Sequence, residues 1–352
     1  MTAISASSLV CPAPLPIQDR IVLGHGSGGT LSAKLLHEHF LPHFHSRALR
    51  QLGDGAVVSA GTSRVVLSTD SFVVNPLEFP GGNIGTLAVN GTANDVAMMG
   101  AHPYWLTAGF IIEEGLPLDV LDRVVASMEA AAAIAGVEIV AGDTKVVERG
   151  KGDGLFINTT GLGLADSEFR PRPDRARPGD VLIVSGSIGV HGMTILSTRE
   201  GLGFESDLAS DTACLYPLVQ TLRHATDGMV SALRDPTRGG VASAINEIAA
   251  ASRVGVVLEE DALPIPPAVS GACEMLGLDP LYVANEGIFV AFVHPSVADE
   301  ALAALRSHPL GRDARRIGVA VSDQAAMVVM RTAFGGTRVV DLLPGDQLPR
   351  IC

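Results

Sequence analysis

Apolar and polar positions alternate along this chain with two different periods, so strands and helices are interleaved. Arg64-Val65-Val66-Leu67-Ser68-Thr69 is a strand-like run that closes on Asp70. After Gly81-Gly82-Asn83 the spacing becomes helical, through Ile84, Leu87, Ala88, Val89, Ala93, Val96 and Met99. Residues 105–112 predict a strand, 118–135 an amphipathic helix, 137–141 a strand ending at the turn Gly142-Asp143-Thr144-Lys145, and 155–165 a further strand. Residues 170–179, with three prolines and four arginines, have the composition of a linker. Beyond it the alternation resumes, with strands at 180–185, 254–259, 288–293, 316–321, 326–330 and 338–342 and helices at 217–224, 241–251, 268–276 and 298–306.

This pattern predicts an α+β or α/β protein of two domains, 20–168 and 176–343. A leader at 1–19, with three prolines and no periodicity, is expected to be disordered, and a tail at 344–352 to be mobile. A length of 352 residues suits two cores, and 39 glycines suit tight turns. The net charge of −13 argues against nucleic acid or an anionic membrane as the main partner. It leaves nucleotides open, because glycine loops and metal ions hold phosphates on acidic proteins. Cys11, Cys214, Cys273 and Cys352 are far apart and form no CxxC pair, which disfavours structural zinc and a disulfide framework. With no basic, apolar leader and no stretch suited to a bilayer, a cytoplasmic location is expected.

Three features carry candidate chemistry. The first is Asn90-Gly91-Thr92-Ala93-Asn94-Asp95, a polar insert in a helix otherwise made for burial. A carboxylate there is costly unless it is paired or metal-bound. The second is the set Asp54, Asp70, Asp95 and Asp235, placed at turns or element ends, where a cluster would repel itself without a cation. Hard oxygen ligands with no histidine or thiolate favour Mg²⁺, although any one of the four also suits an ordinary cap or turn. The third is the terminal Pro349-Arg350-Ile351-Cys352, in which a thiol ends the sequence with a cation two residues away. His25-Gly26-Ser27-Gly28-Gly29-Thr30 adds a glycine turn before a helix, suited to an anion or to a plain cap, and it lacks the GK[ST] ending of a P-loop.

Taken in order, several motifs resemble the superfamily of aminoimidazole ribonucleotide synthetase, selenophosphate synthetase and thiamine monophosphate kinase. They are His25 to Gly29, Ser68-Thr-Asp-Ser71, Asn90 to Gly100, Gly142-Asp-Thr-Lys145, Arg234 to Gly240 and Ala284-Asn-Glu-Gly287. With the terminal Pro-Arg-Ile-Cys352, the set resembles the HypE family of hydrogenase maturation proteins. The resemblance implies ATP and Mg²⁺ as cofactors and a homodimer whose N-terminal sheets pair into a barrel. It implies metal or phosphate contacts at Asp54, Asp70, Asp95 and Asp235, and a nucleotide site at Asn90, Asp143, Thr144, Gly28 and Gly29. Cys352 would accept a carbamoyl group from the carbamoyltransferase HypF and hold it while ATP-dependent dehydration makes a thiocyanate. The cyanide would pass to a HypC–HypD complex. Lys145 and Glu286, both expected in loops, are the candidates for the base, with a phosphate-binding cation and a loop carboxylate as their plainer roles. Another enzyme of the superfamily, such as selenophosphate synthetase, and a non-catalytic nucleotide-binding scaffold are the alternatives.

Overall fold

The computed structural model of the protein describes residues 20–352 except 45, 167, 202–207, 324, 344, 346, 347 and 349. The expected leader, with Cys11, lies outside the described residues.

In the first half, α1 (Thr30–Leu35) follows the glycine turn. The strands are β1 (Ala56–Ala60), β2 (Ser63–Phe72), β3 (Glu78–Phe79), β4 (Gly82–Asn83), β5 (Ala101–Glu113), β6 (Glu138–Val147) and β7 (Leu155–Ala165), with helices α2 (Ile84–Met98) and α3 (Leu118–Ala135). Five strands form a sheet in the order β1-β2-β7-β5-β6, and β3 and β4 make a separate short hairpin. Only the β5–β6 pair is parallel, because α3 carries the chain back across the sheet between them. Asn83 caps α2, its Oδ1 accepting from the N–H groups of Gly85 and Thr86 at 2.9 and 3.1 Å. Gly136 ends α3 in the left-handed conformation, at φ 69°. α2 is buried along nearly its whole length, so it has no solvent face on which polar residues could sit without partners.

The second half contains β8 (Val181–Val184), β9 (Val230–Arg234), β10 (Gly255–Glu259), β11 (Val290–Val293), β12 (Arg315–Val321), β13 (Val328–Arg331) and β14 (Thr337–Val339). Its helices are α4 (Val190–Glu200), α5 (Tyr216–Thr226), α6 (Gly240–Ser252), α7 (Pro267–Leu276) and α8 (Ala298–Ser307). The strand order is β14-β13-β10-β12-β8-β11-β9. This sheet is covered on both faces, which is why β8 is an unbroken apolar run. Leu182 and Val184 face the core that includes Val241, Ile245 and Ile248 of α6. Val181 and Ile183 face the opposite core, with Leu218 and Leu222 of α5 and Leu305 of α8.

Four local expectations change. β2 does not stop at Asp70 but runs to Phe72, because Asp70, Ser71 and Phe72 continue the ladder opposite Thr159, Asn158 and Ile157. Residues 142–145 are not a turn after a strand: β6 runs through them, with Lys145 opposite Ile111 of β5, so Lys145 is a strand residue. β9 has no counterpart in the sequence reading, since Val-Ser-Ala-Leu-Arg has neither an unbroken apolar run nor a clean alternation. The segment read as a linker is fastened to the body, with Phe169 buried against Ala97 and Met98 and the N–H of Gly179 on the carbonyl of Ala320 at 2.8 Å.

Candidate functional site

Three backbone segments bring three carboxylates to one point. Asp54 lies just before β1, Asp95 projects from α2, and Asp235 follows β9 in the second half. One ligand oxygen from each lies within 4.8 Å of the others. Octahedral Mg²⁺, with bonds of about 2.1 Å, sets its ligand oxygens at most about 4.2 Å apart, so small side-chain adjustments make the trio a fitting donor set. No histidine or thiolate joins it among the described residues.

The electrostatics express the same crowding. Burial, then Asp235, Asp54 and Asp70, push Asp95 well above the usual carboxylate range, while a 2.5 Å hydrogen bond from Ser68 Oγ opposes the shift. Burial and the charge of Asp54 likewise raise Asp235. Asp54 is pushed up to about 6 by burial, against the pull of Arg234. Arg234 forms ion pairs with Asp54 at 3.1 Å and Glu247 at 2.7 Å, and is the main counter-charge to the trio. Asp70 stands beside this group rather than in it. Its carboxylate is 3.6 Å from Arg238, and burial raises its pKa.

The other polar residues of α2 divide into two roles. Asn94 is a structural clamp, its amide donating to the carbonyl of Ala213 at 2.9 Å and its oxygen accepting from the N–H of Leu215 at 2.7 Å. Asn90 reaches Thr212 at 3.4 Å. Gly91 gives room to both Phe72 and the carboxylate of Glu286, since a Cβ there would stand 3.0 Å from the ring and 3.8 Å from Glu286 Oε2. Glu286 lies in the loop before β11, fully enclosed. Burial, then Asp235, Asp211 and Asp70, raise its pKa well above normal. Its N–H donates to Asp211 Oδ1 at 3.1 Å, and Glu286 Oε1 and Asp211 Oδ2 are buried with no hydrogen-bond partner among the described residues. Each of these orphaned carboxylate oxygens is a place for a donor.

The glycine turn closes on the second half of the chain. Gly28 has φ 77°, and a Cβ on it would stand 2.7 Å from the carbonyl oxygen of Arg238. Gly29 is packed against Leu343, whose carbonyl accepts from the N–H of Thr30 at 2.8 Å. On one side of this turn is a groove of about 1050 Å³ lined by Gly28, Gly29, Asp54, Ser68, Arg234 and Glu247, large enough for a nucleotide. On the other is a small cavity of about 170 Å³, lined by Gly29, Val73, Arg238, Ile351 and Cys352 among others.

The end of the chain forms one wall of that small cavity. Ile351 and Cys352 are buried, and the N–H of Val73 donates to the main-chain oxygen of Cys352 at 3.0 Å. Cys352 is the largest influence holding Arg238 protonated, which places the last residue beside that guanidinium.

Asp143, Thr144 and Lys145 are on β6, outside both cavities. Lys145 Nζ sits 2.6 Å from Asp143, with the side chains 68% and 70% exposed, so in a single chain the pair faces solvent. Sequence reasoning missed Asp211, Glu247, Arg199 and His191 as site residues. Arg234 and Arg238 were visible, since they flank Asp235 within one motif.

The N-terminal domain of AIR synthase related proteins matches residues 52–165, and the C-terminal domain of that family matches 177–330. The carbamoyl dehydratase HypE of Cupriavidus necator is 55% identical over 342 residues, which cover 96% of this chain and 97% of that one. The solved structure of hydrogenase maturation protein HypE in complex with ATP is 50% identical with a TM-score of 0.80, covering 93% of this chain and 98% of that one. A HypE–HypF complex is 45% identical with a TM-score of 0.84, covering 88% of this chain and 99% of that one. The chain belongs to the AIR synthase related family, in its branch of HypE carbamoyl dehydratases.

Proposed function

We propose that the protein dehydrates an S-carbamoyl group on its own Cys352 to a thiocyanate at the expense of ATP, making cyanide for the iron of a [NiFe]-hydrogenase. The observation that carries this reading is the burial of Cys352 beside Arg238, one glycine turn away from a nucleotide-sized groove that Asp54 of the aspartate trio lines. The end of the chain, with Cys352, forms part of the wall of the small cavity, which brings the thiol to the edge of that space.

The chemistry follows from the groups present. Asp54, Asp95 and Asp235 would hold Mg²⁺, which supplies charge neutralisation on the phosphates. The N–H groups of the glycine turn and the guanidinium of Arg238 are suited to anionic oxygens. Transfer of the γ-phosphoryl group to the carbamoyl oxygen, with loss of one N–H proton, makes that oxygen a leaving group. Departure of phosphate with the second N–H proton leaves S–C≡N, so the balance is thiocarbamate plus ATP to thiocyanate, ADP and phosphate. Glu286, enclosed and carrying an orphaned oxygen, is suited to hydrogen-bond the –NH₂ group and take a proton from it.

A homodimer accounts for Lys145. β6 is an edge strand exposed along most of its length, with Val140 and Val146 open to solvent, and Trp105 and Ile111 are exposed on its neighbour β5. An apolar, unpaired edge of this kind suits pairing with a second copy into a barrel. From there Asp143, Thr144 and Lys145 would reach the partner's nucleotide. The tail must leave its cavity to take a carbamoyl group from a HypF protein and to deliver cyanide to a HypC–HypD complex, so mobility at 344–352 is part of the reading. The selenophosphate synthetase and scaffold alternatives are not favoured by the named relatives.

Intact-mass measurement after incubation with carbamoyl donor and ATP tests the reaction. The adduct on Cys352 should lose one water, about 18 Da, on dehydration. An adduct on Cys214 or Cys273, or one that never loses water with ATP present, overturns the proposal.

A further inference from the structure

The contacts that hold the chain's end are made to its backbone, and two of them come from one face of α4. His191 is completely buried. Its Nε2 lies 2.9 Å from the carbonyl oxygen of Ile351, and its Nδ1 lies 2.7 Å from Ser210 Oγ. A carbonyl only accepts, so the proton is on Nε2 and Nδ1 accepts from the serine hydroxyl. Ser210 is itself fixed, its N–H donating to the carbonyl of Pro80 at 2.8 Å. The ring of Phe79 meets the imidazole edge-on, with centroids 5.7 Å apart. Eight residues along the same helix, Arg199 donates to the carbonyl of Arg350 at 2.6 Å and to that of Asn75 at 2.8 Å. From the opposite side, Val73 donates its N–H to the main-chain oxygen of Cys352 at 3.0 Å. Arg350 Nε returns a hydrogen bond to the carbonyl of Val73 at 3.1 Å, and its guanidinium pairs with Asp153. Three successive main-chain oxygens of the tail, at 350, 351 and 352, therefore each meet a donor on a different group.

This arrangement measures length. A slip of the tail by one residue moves the thiol by about 3.3 Å and mismatches all three main-chain oxygens together. We infer that His191 is a positioning residue of the dehydration, which with Arg199 and Val73 reads the tail's backbone and fixes the depth at which Cys352 stops. The inference rests on the proposed function in that it takes Cys352 as the reacting group. The docking itself is independent of the reaction.

The test compares His191→Leu, His191→Gln and Ser210→Ala with the unaltered protein. Iodoacetamide labelling of Cys352 is followed by mass spectrometry of the terminal peptide, with buried Cys273 as internal control. Removing one such hydrogen bond should speed Cys352 labelling about tenfold in His191→Leu. His191→Gln, which keeps a donor near the place of Nε2, should restore most of the protection. Ser210→Ala, which leaves the imidazole tautomer undirected, should show a smaller rise and serves if the leucine variant does not fold. In single-turnover dehydration of the carbamoylated protein, the rate should fall in the same order while nucleotide affinity stays constant. Unchanged Cys352 labelling in every variant, or a parallel rise at Cys273, overturns the positioning role. If the unaltered carbamoylated protein does not lose water, the proposed function fails instead, and the labelling result still stands for the docking.

Discussion

Replacing Asp95 by Asn should act in opposite directions on the metal-free protein and on its Mg·ATP complex. Asn keeps the size and can still accept from Ser68 Oγ, which is 2.5 Å from Asp95 Oδ2, so packing on α2 changes little. What disappears is a charge whose oxygen lies within 4.8 Å of oxygens of Asp54 and Asp235. At that separation each fully ionised pair repels by about 3 kcal/mol at an effective dielectric constant of about 20. Protonation within the cluster already relieves much of this, since burial and its neighbours raise Asp95 well above the normal range. The net relief on substitution is therefore about 1–3 kcal/mol near neutral pH, or a rise of roughly 2–5 °C in Tm. Binding should suffer for the same reason: the trio loses one of its ligands, and Mg·ATP affinity should fall at least about tenfold, or ~1.4 kcal/mol. Differential scanning fluorimetry in EDTA, followed by calorimetric titration of Mg·ATP, measures both quantities on one preparation. A variant that melts lower without metal and binds Mg·ATP normally would show that Asp95 is there for its bond to Ser68, and the metal site would have to be abandoned.

Other outcomes follow from the same geometry. Asp54 has its pKa raised from 3.8 to about 6 in the folded protein, so the native state holds the extra proton between those values and stability falls as pH rises through them. The loss is about 3 kcal/mol in EDTA, and Mg²⁺ should remove the slope; urea unfolding at pH 4.5 and 6.5 decides, and equal slopes with and without metal refute it. Glu286→Gln should keep Mg·ATP affinity and carbamoylation but slow water loss by about 100-fold or more, read by intact mass; a normal rate would leave Lys145 as the base. Asn94→Ala removes hydrogen bonds that join the two halves at Ala213 and Leu215 and should lower stability by about 1–3 kcal/mol, with a Tm change under 1 °C counting against the clamp.

Much of this fold could be read from periodicity because its long elements have a single dominant environment. α3 spans Leu118–Ala135 and β7 spans Leu155–Ala165, as their patterns predict. The failures are short or doubly exposed elements. β9, Val-Ser-Ala-Leu-Arg, has neither an apolar run nor a clean alternation, and β6 passes through Gly142-Asp143-Thr144-Lys145, a composition that signals a turn unless a neighbouring strand holds it extended. For the site, a carboxylate inside an apolar helix identified Asp95 because burial makes such a residue expensive without a reason. The same logic pointed to Asn94 and could not tell a clamp from a ligand, since both satisfy a buried polar group. His191 escaped because its role depends on a carbonyl 160 residues away, a pairing that no local pattern encodes.

The trio at the centre of the site draws Asp54 and Asp95 from one half of the chain and Asp235 from the other. During synthesis the first half leaves the ribosome well before β9 exists, so a nascent chain has two of these carboxylates and no complete ion site. The second half supplies the third, and Asn94 joins the two halves through residues 213 and 215. On the proposed reading, Mg·ATP affinity therefore waits until both halves are in place. A partly made or misdocked chain stays chemically silent, which matters for an enzyme whose product is a carrier of cyanide.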